Sequence, residues 1–196
     1  MTVQILNICS YDGYPLDVRI CLPESGICGK IILFVNGSGP MTYTTKRQLP
    51  DGRLFNYFDV FAEELTKRNI GFCSYSQRGV SDGDTPPYFV DINDEAYKKY
   101  LPNNSVSDIE NIVAYLRKTY PGVRVILLGW SEGSNLASLV VLGGKAKISA
   151  LMLAGYSNEN LRDILIWQLS GNSTLIFWRH LFDYDRKGYI TESDFT

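Results

Sequence analysis

Apolar and polar positions near the start of the chain predict two β-strands joined by a tight turn. Residues 3–9 and 16–22 are rich in β-branched and apolar side chains, and the pair Asp12-Gly13 lies between them. Asp-Gly between two such runs is a strong signal of a hairpin. The next run, Lys30–Val35, is continuously apolar after its lysine, which is typical of a strand buried on both faces. We therefore expect an antiparallel hairpin followed by a buried strand.

Helical and strand-like patterns then alternate as far as residue 154. Apolar residues at helical spacing occupy 56–69, 105–120 and 132–142, and short apolar runs occupy 70–75, 124–128 and 148–154. This alternation predicts a mostly parallel sheet with helices on both faces, because parallel strands need crossover connections. The polar stretch at 41–54 and the Gly- and Pro-rich stretch at 76–87 are predicted to be loops, and 88–102 is a polar, Tyr-rich excursion. Ser105 or Ser107 is the expected N-cap of the second helix, and Pro121-Gly122 marks its end.

Composition and charge narrow the functional classes. The 196 residues include 45% hydrophobic and 20% charged residues, which fits one globular domain with a short appendage. A net charge of −2 argues against nucleic acid as the main partner. No apolar stretch is long enough for a membrane span, and no signal peptide is evident. The four cysteines form no CxxC pair, which favours free thiols over a metal site or disulfides and indicates the cytoplasm.

The sequence Gly129-Trp130-Ser131-Glu132-Gly133 lies between a predicted buried strand and a predicted helix. A serine at such a sharp turn exposes its hydroxyl above the sheet, and glycines are needed because β-carbons would collide with the turn. The backbone N–H of Glu132, at the helix N-terminus, is placed to stabilise a developing oxyanion. The alternative is an ordinary Gly/Ser turn without a chemical role. The buried flanking strand and helix favour the nucleophile.

Residues 3–154 resemble the α/β-hydrolases, in the branch that includes dienelactone-hydrolase-like, acyl-transferring and peptidase-like serine hydrolases. Three segments carry the resemblance: the serine turn, 34–40 (FVNGSGP), and 75–83 (YSQRGVSDG). The second resembles the family's oxyanion loop and the third its RGxGxS segment. The resemblance implies an α/β fold with a mostly parallel sheet and an N-terminal antiparallel hairpin, incomplete at its C-terminal side.

The resemblance also implies roles for individual residues. Ser131 would be the nucleophile of an acyl-enzyme mechanism on an ester, thioester or amide. The N–H groups of Ser38 and Glu132 would form the oxyanion hole. Asn36 stands where many family members have histidine, and Arg78 would have an architectural role. No cofactor is required for such hydrolysis, and the expected partner is a small-molecule acyl substrate.

The acid and the base of a catalytic triad are harder to place. In this family the acid follows the seventh strand and the histidine follows the eighth, whereas the pattern here predicts six strands. We expect 1–154 to be a hydrolase core, 155–182 the start of a cap, and the chain to be the N-terminal part of a longer protein. His180, with Asp163 or Glu159 as the acid, fits the chain order but would lie in the cap. A sixth strand at a free edge would also permit self-association.

The C-terminal segment 183–196 resembles an EF-hand calcium loop. The positions expected to bind calcium are Asp183, Asp185, Lys187, Tyr189 and Asp194. Lys187 departs from the pattern because an oxygen ligand is expected there, and Asp194 is shorter than the usual glutamate. An acidic, solvated turn is the alternative.

Two hypotheses follow from the sequence. The first is a serine hydrolase whose acid and base lie outside this chain. The second is a non-catalytic binding or calcium-responsive module on a partial hydrolase fold. Aromatic residues of the excursion at 88–102 either line an acyl pocket or serve packing: Tyr88, Phe89, Tyr97 and Tyr100.

Overall fold

The computed structural model describes residues 1–26, 28–85, 89–157 and 159–169. The chain divides into two compact units, Met1–Tyr156 and a second unit that begins at Ser157. The predicted division into 1–154, 155–182 and 183–196 stays a prediction.

The described residues form ten strands and five α-helices. The strands are β1 (Thr2–Cys9), β2 (Pro15–Leu22), β3 (Lys30–Val35), β4 (Lys46–Gln48), β5 (Leu54–Asn56), β6 (Gly71–Tyr75), β7 (Val80–Asp82), β8 (Val90–Ile92), β9 (Arg124–Trp130) and β10 (Ala150–Ala154). The helices are α1 (Tyr57–Lys67), α2 (Asp94–Tyr97), α3 (Pro102–Thr119), α4 (Glu132–Gly143) and α5 (Leu161–Trp167).

Six strands form the central sheet, in the order β1-β2-β6-β3-β9-β10. β1 pairs with β2, and β2 with β6, in antiparallel fashion, whereas β6, β3, β9 and β10 run parallel. The predicted hairpin and the mostly parallel sheet are therefore confirmed. β10 lies at one edge of the sheet as described, and its residues Met152 and Leu153 are exposed. The predicted self-association at this edge stays a prediction.

Helices cover both faces of the sheet because β3 and β6 are apolar on both sides. On one face, Leu33 and Val125 pack in a cluster with Ile109 and Leu116 of α3 and Leu136 of α4. The other face has a cluster that consists of Cys21, Ile32, Phe34, Phe58, Ala62 and Phe72. Full burial of an Ile, Leu or Phe side chain contributes about 1.5–3 kcal/mol. The two clusters pack the sheet between its helices and so fix the ends of its strands.

Three local predictions were wrong. The stretch predicted to be irregular at 41–54 includes β4 and the first residue of β5, which pair as a short hairpin, and residues 80–92 contain β7–β8. Three-residue strands are too short to show a polar–apolar period, so the sequence pattern does not indicate them. The N-cap of α3 is Leu101, not Ser105 or Ser107, because Pro102 starts the helix one turn earlier. Proline suits the first helical position since its missing N–H would have no partner there.

A buried arginine joins three separate segments of the first unit. The Arg78 guanidinium donates to Asp12, in the β1–β2 turn, at 2.7 and 2.9 Å. It also donates to Asp108, on α3, at 2.7 and 2.6 Å. Burial opposes its charge, but the two carboxylates outweigh burial and raise the pKa of Arg78. The rings of Tyr11 and Tyr14 lie against the guanidinium, at 5.5 and 5.0 Å from ring centre to Cζ.

Two further expectations concern membranes and thiols. None of the described helices is both long and apolar enough to cross a bilayer. Cys9, Cys21, Cys28 and Cys73 are all free thiols. Burial raises the pKa of Cys21, Cys28 and Cys73, so these thiols stay protonated near neutral pH.

Candidate functional site

Ser131 lies at the junction of β9 and α4 in an unusual backbone conformation. Its φ is 55° and its ψ is −126°, and the side chain is exposed. A non-glycine residue with a positive φ carries about 1–3 kcal/mol of strain and persists only where its surroundings enforce it. The sharp turn therefore lifts the hydroxyl of Ser131 above the end of the parallel sheet.

The glycines on either side of Ser131 are required by close contacts. A β-carbon on Gly129 would lie 2.5 Å from Cα of Ser134. On Gly133 it would lie 2.2 Å from the carbonyl oxygen of Val35 and 2.5 Å from that of Asn36. Gly133 thus lets α4 pack directly against the end of β3. The loop that follows β3 is brought to the serine turn by this contact.

Hydrogen bonds made by Ser131 and Ser134 hold the serine turn in position. The N–H of Ser131 donates to the carbonyl oxygen of Ala154 at 2.7 Å. The Ser134 hydroxyl donates to the carbonyl oxygen of Gly129 at 2.8 Å and lies 3.1 Å from that of Ala154. The end of β10 and the first turn of α4 therefore both hold the turn in place.

The predicted oxyanion loop after β3 lies beside Ser131. A β-carbon on Gly37 would be 2.9 Å from the carbonyl oxygen of Trp130 and 3.2 Å from Cβ of Ser131. Asn36 is buried and donates through Nδ2 to the carbonyl oxygen of Tyr75 at 2.9 Å. Since Asn36 is directed into the protein, the next residues, Gly37 and Ser38, run along the serine turn.

Gln77 is a site residue that the sequence reasoning missed. Its Nε2 donates to the carbonyl oxygen of Gly37 at 2.9 Å, and its Oε1 accepts from the N–H of Met41 at 2.8 Å. Its own N–H donates to the carbonyl oxygen of Met41 at 3.0 Å. In a trans peptide the C=O and the next N–H point in opposite directions. By holding the Gly37 carbonyl on the core side, Gln77 turns the N–H of Ser38 away from Gln77.

Ser131 and Ser38 line the same surface cleft. The cleft has a volume of about 490 Å³ and is lined by Gly37, Ser38, Gly39, Pro40, Met41, Arg47, Trp130 and Ser131. Trp130 is 47% exposed, so its indole forms an apolar wall. The structure thus brings the predicted nucleophile and one predicted oxyanion donor into a single space large enough for a small ligand.

Glu132, which carries the second predicted oxyanion N–H, is half-buried at the start of α4. Burial raises the pKa of its carboxyl. Burial also raises the pKa of Tyr97 and of Tyr100, and the negative charge of Glu132 adds to both shifts. The two tyrosine rings stack at 6.0 Å with an interplanar angle of 4°. Tyr97 and Tyr100 of the excursion therefore pack against each other and are influenced by the charge of Glu132.

A third aromatic residue of the excursion, Phe89, has different surroundings. Phe89 is buried and lines a second cleft, away from Ser131. Tyr88 lies outside the described residues. The three described members of the predicted aromatic set, Phe89, Tyr97 and Tyr100, therefore do not share one environment.

The acid and the base that the sequence suggests stay predictions. Asp163 lies on α5 in the second unit, where its N–H donates to Oδ1 of the N-cap Asn160 at 3.0 Å. His180 lies outside the described residues, as do Asp183, Asp185, Lys187, Tyr189 and Asp194. Among the residues that the structure describes, no group of three or more His, Cys, Asp or Glu could hold a metal ion.

Comparison with solved structures identifies the architecture. A thermostable carboxyl esterase from Bacillus coagulans is 17% identical and covers 94% of this chain, with a TM-score of 0.57. A cold-adapted esterase from an Arctic intertidal metagenomic library is 15% identical and covers 88%, also with a TM-score of 0.57. An α/β serine hydrolase without lid from Xanthomonas campestris is 15% identical and covers 83%, with a TM-score of 0.52.

The match covers only part of these relatives. The chain spans 57% of the Bacillus protein, 68% of the metagenomic one and 66% of the Xanthomonas one. No protein-family model and no curated protein matches the sequence. Identities this low define a fold and not an activity. The sheet order, the antiparallel hairpin at its start and these structural matches together establish that the chain has the α/β-hydrolase fold.

Proposed function

We propose that this chain carries the nucleophile and the oxyanion hole of a serine hydrolase that acts on an ester, a thioester or an amide. The observation that carries the proposal is Ser131 itself. It is an exposed serine held at a positive φ, at the end of a parallel sheet, in a cleft shared with the Ser38 loop. Strained residues of this kind concentrate at functional sites, because the strain has to be maintained by surrounding contacts.

The proposed reaction proceeds through an acyl-enzyme. The hydroxyl oxygen of Ser131 attacks the carbonyl carbon, and its proton passes to a general base. The carbonyl oxygen becomes an oxyanion that accepts hydrogen bonds from the N–H groups of Ser38 and Glu132. The leaving group departs with the proton, and water then hydrolyses the acyl-serine. Removal of one oxyanion donor from a serine hydrolase costs about 2.7–4 kcal/mol of transition-state stabilisation.

The relatives add support at a coarse level. Two of the three similar structures are described as esterases and the third as a serine hydrolase. We extend that chemistry to this chain because its serine turn and its oxyanion loop occupy one cleft. The segment 155–182 is proposed as the start of a cap. The acid and the base are proposed to lie outside residues 1–154.

Covalent labelling tests the proposal. A fluorophosphonate reacts with a serine only if that serine is activated. We expect the protein isolated from its natural source to be labelled at Ser131, as located by peptide mass spectrometry. Recombinant Ser131→Ala should not be labelled, whereas Ser81→Ala, which changes an exposed serine of β7, should be labelled like the parent. Absence of labelling would reject the hydrolase and leave the binding module as the function.

Intact mass measured on the same sample locates the base. A labelled protein with a mass well above 22.1 kDa would place the acid and the base beyond the present sequence. A labelled protein of 22.1 kDa would instead assign the base to this chain. His180→Gln should then reduce the labelling rate by several orders of magnitude, since loss of a triad base costs about a millionfold in turnover.

A further inference from the structure

The cleft beside Ser131 contains a single charged side chain among its eight described lining residues, and that side chain is Arg47. We propose that Arg47 binds an anionic group of the substrate, so that the site selects esters or thioesters that carry a carboxylate or a phosphate. This inference rests on the proposed function for the reaction, although binding itself needs no activated serine.

The backbone that carries Arg47 is firmly anchored. Thr42, Thr44 and Thr45 are buried, although they lie in the connection between the oxyanion loop and β4. The N–H of Thr45 donates to Oγ1 of Thr42 at 2.9 Å, and Oγ1 of Thr44 donates to Oδ1 of Asp82 at 2.7 Å. These bonds tie the segment just before β4 to itself and to Asp82, so the backbone that leads to Arg47 is anchored.

Strand geometry separates Arg47 from its charged neighbour. Successive side chains of a strand point to opposite faces. Lys46 lines a different cleft of about 530 Å³, which it shares with Asp59, Glu63 and Asp84. Arg47 lines the Ser131 cleft, whose other lining residues include no carboxylate. The two adjacent cations therefore have different surroundings. Lys46 shares its cleft with acidic residues, whereas Arg47 has none in the lining of the Ser131 cleft.

Arg47 has no ion pair within the described part of the chain. Its Nη1 donates to the carbonyl oxygen of Lys46 at 3.1 Å, which leaves the remaining guanidinium donors available to a ligand. Arg53, on the same hairpin, provides the contrast. Its Nε donates to Oδ2 of Asp51 at 2.8 Å, so its charge is already balanced. Arg47 is the arginine of this hairpin that is suited to bind an external anion.

The chemistry of the cleft indicates the kind of ligand. A guanidinium is permanently charged and binds carboxylate and phosphate through two parallel hydrogen bonds. The indole of Trp130 and the side chains of Pro40 and Met41 provide apolar surface in the same cleft. A short carbon chain between the reacting carbonyl and the anion would contact this surface. The overall charge of −2 does not attract anions, so the local cation has to provide the selectivity.

Binding to a Ser131→Ala protein tests this assignment without turnover. Isothermal titration would compare monomethyl glutarate, which carries one carboxylate, with dimethyl glutarate, its neutral diester. Propyl phosphate would test whether phosphate replaces carboxylate. The same titrations would be made with Arg47→Gln and with Arg53→Gln, each in the Ser131→Ala background. Circular dichroism would verify that all variants fold.

We expect the monoester to bind about tenfold more tightly than the diester, which corresponds to about 1.4 kcal/mol. Arg47→Gln should abolish this preference and Arg53→Gln should retain it. The preference should also weaken between 0.05 and 0.5 M NaCl, because salt screens an exposed ion pair. Tighter binding of propyl phosphate would identify phosphate as the anion, and tighter binding of the monoester would identify carboxylate.

An equal affinity for the two esters, or a preference that survives Arg47→Gln, would overturn the assignment. These results are separable from the labelling experiment. Labelled Ser131 without an anion preference would remove only the anion site. An Arg47-dependent preference with unlabelled Ser131 would retain an anion-binding cleft and remove the hydrolase.

Discussion

At the residue scale, Gln77 has more influence on the candidate site than its position in the sequence indicates. Its side-chain amide bonds to Gly37 and to Met41, which lie on either side of Ser38 in the sequence. It is 2% exposed, so water does not compete for these bonds. Gln77 is therefore a positioning residue that fixes the peptide carrying the N–H of Ser38.

Gln77→Glu tests this role. The carboxylate retains an acceptor for the N–H of Met41 but loses the donor to the Gly37 carbonyl and repels that oxygen. We expect the fluorophosphonate labelling rate of Ser131 to fall by about tenfold to a hundredfold, within the range for a disturbed oxyanion donor. With an ester substrate, kcat should fall while KM changes little, because the lost hydrogen bond acts mainly in the transition state.

Gln48→Glu is the matched control for Gln77→Glu. Gln48 also donates from Nε2 to a glycine carbonyl, that of Gly52, at 3.2 Å, but it is exposed and lies outside the cleft. The Gln48→Glu variant should leave the labelling rate of Ser131 unchanged. Equal labelling rates for a folded Gln77→Glu protein and its parent would show that Gln77 does not position the loop.

At the scale of elements, the contact between α4 and β3 decides whether the site forms. Gly133→Ala would place a β-carbon 2.2 Å from the carbonyl oxygen of Val35, a backbone atom that cannot move independently. We expect the free energy of unfolding to fall by about 3 kcal/mol, as in other overpacked cores. Urea denaturation measures the change.

Gly143→Ala, at the last residue of the same helix, should not lower the free energy of unfolding. A β-carbon there would meet only Oε1 of Glu110, at 3.6 Å, an ordinary van der Waals distance. Alanine is favoured over glycine by about 0.8–1 kcal/mol in a helix interior, and position 143 ends the helix, so this variant should be equally or slightly more stable. A Gly133→Ala protein that is as stable as Gly143→Ala would mean that the approach of α4 to β3 does not require a glycine at position 133.

At the scale of the whole molecule, Arg78 connects regions that are distant in sequence. Its two carboxylate partners come from the first hairpin and from α3, and the loop that contains it also holds Gln77. The hydroxyl of Ser10 bonds to the same Asp108 carboxylate. Stability of this network therefore also affects the position of the oxyanion loop.

Acid should weaken this network through Asp12. Hydrogen bonds from Arg78 lower the pKa of Asp12 to about 2, below the ordinary value of about 3.9. The folded state thus favours the carboxylate. Its contribution is complete above about pH 4 and is lost as the pH falls towards 2. Between pH 5 and pH 2, we expect the free energy of unfolding to fall by about 1 kcal/mol more in the parent than in Asp12→Asn. This figure allows for solvent screening of the ion pair.

Urea unfolding at several pH values checks this, with Glu64→Gln as the control. Hydrogen bonds from Arg68 and Lys67 also lower the pKa of Glu64 to about 2, but all three groups are exposed around the end of α1. Solvent screens such surface pairs, so Glu64→Gln should change the acid dependence of global unfolding less than Asp12→Asn. Parallel pH profiles for the parent and Asp12→Asn would contradict the role of Asp12.

The sequence by itself determined the alternation of strands and helices and the serine turn. Both signals are local. The hydrophobic period of an element and the glycines around Ser131 each lie within a stretch of one or two elements. The apolar run Lys30–Val35 accordingly became the strand β3 with the bounds that its pattern predicts. The start of α3 was the exception among the long elements, because Pro102 determines it and not the serines that follow.

Only the tertiary structure decided which loops meet at Ser131. Gln77 and Gly37 are 40 residues apart, and Arg78 and Asp12 are 66 apart. Arg47 reaches the cleft because a three-residue strand turns it there. Such contacts leave no periodic signal, since they depend on how parallel strands bring their carboxyl ends together. Local patterning is therefore sufficient for the elements, whereas the site required the folded sheet.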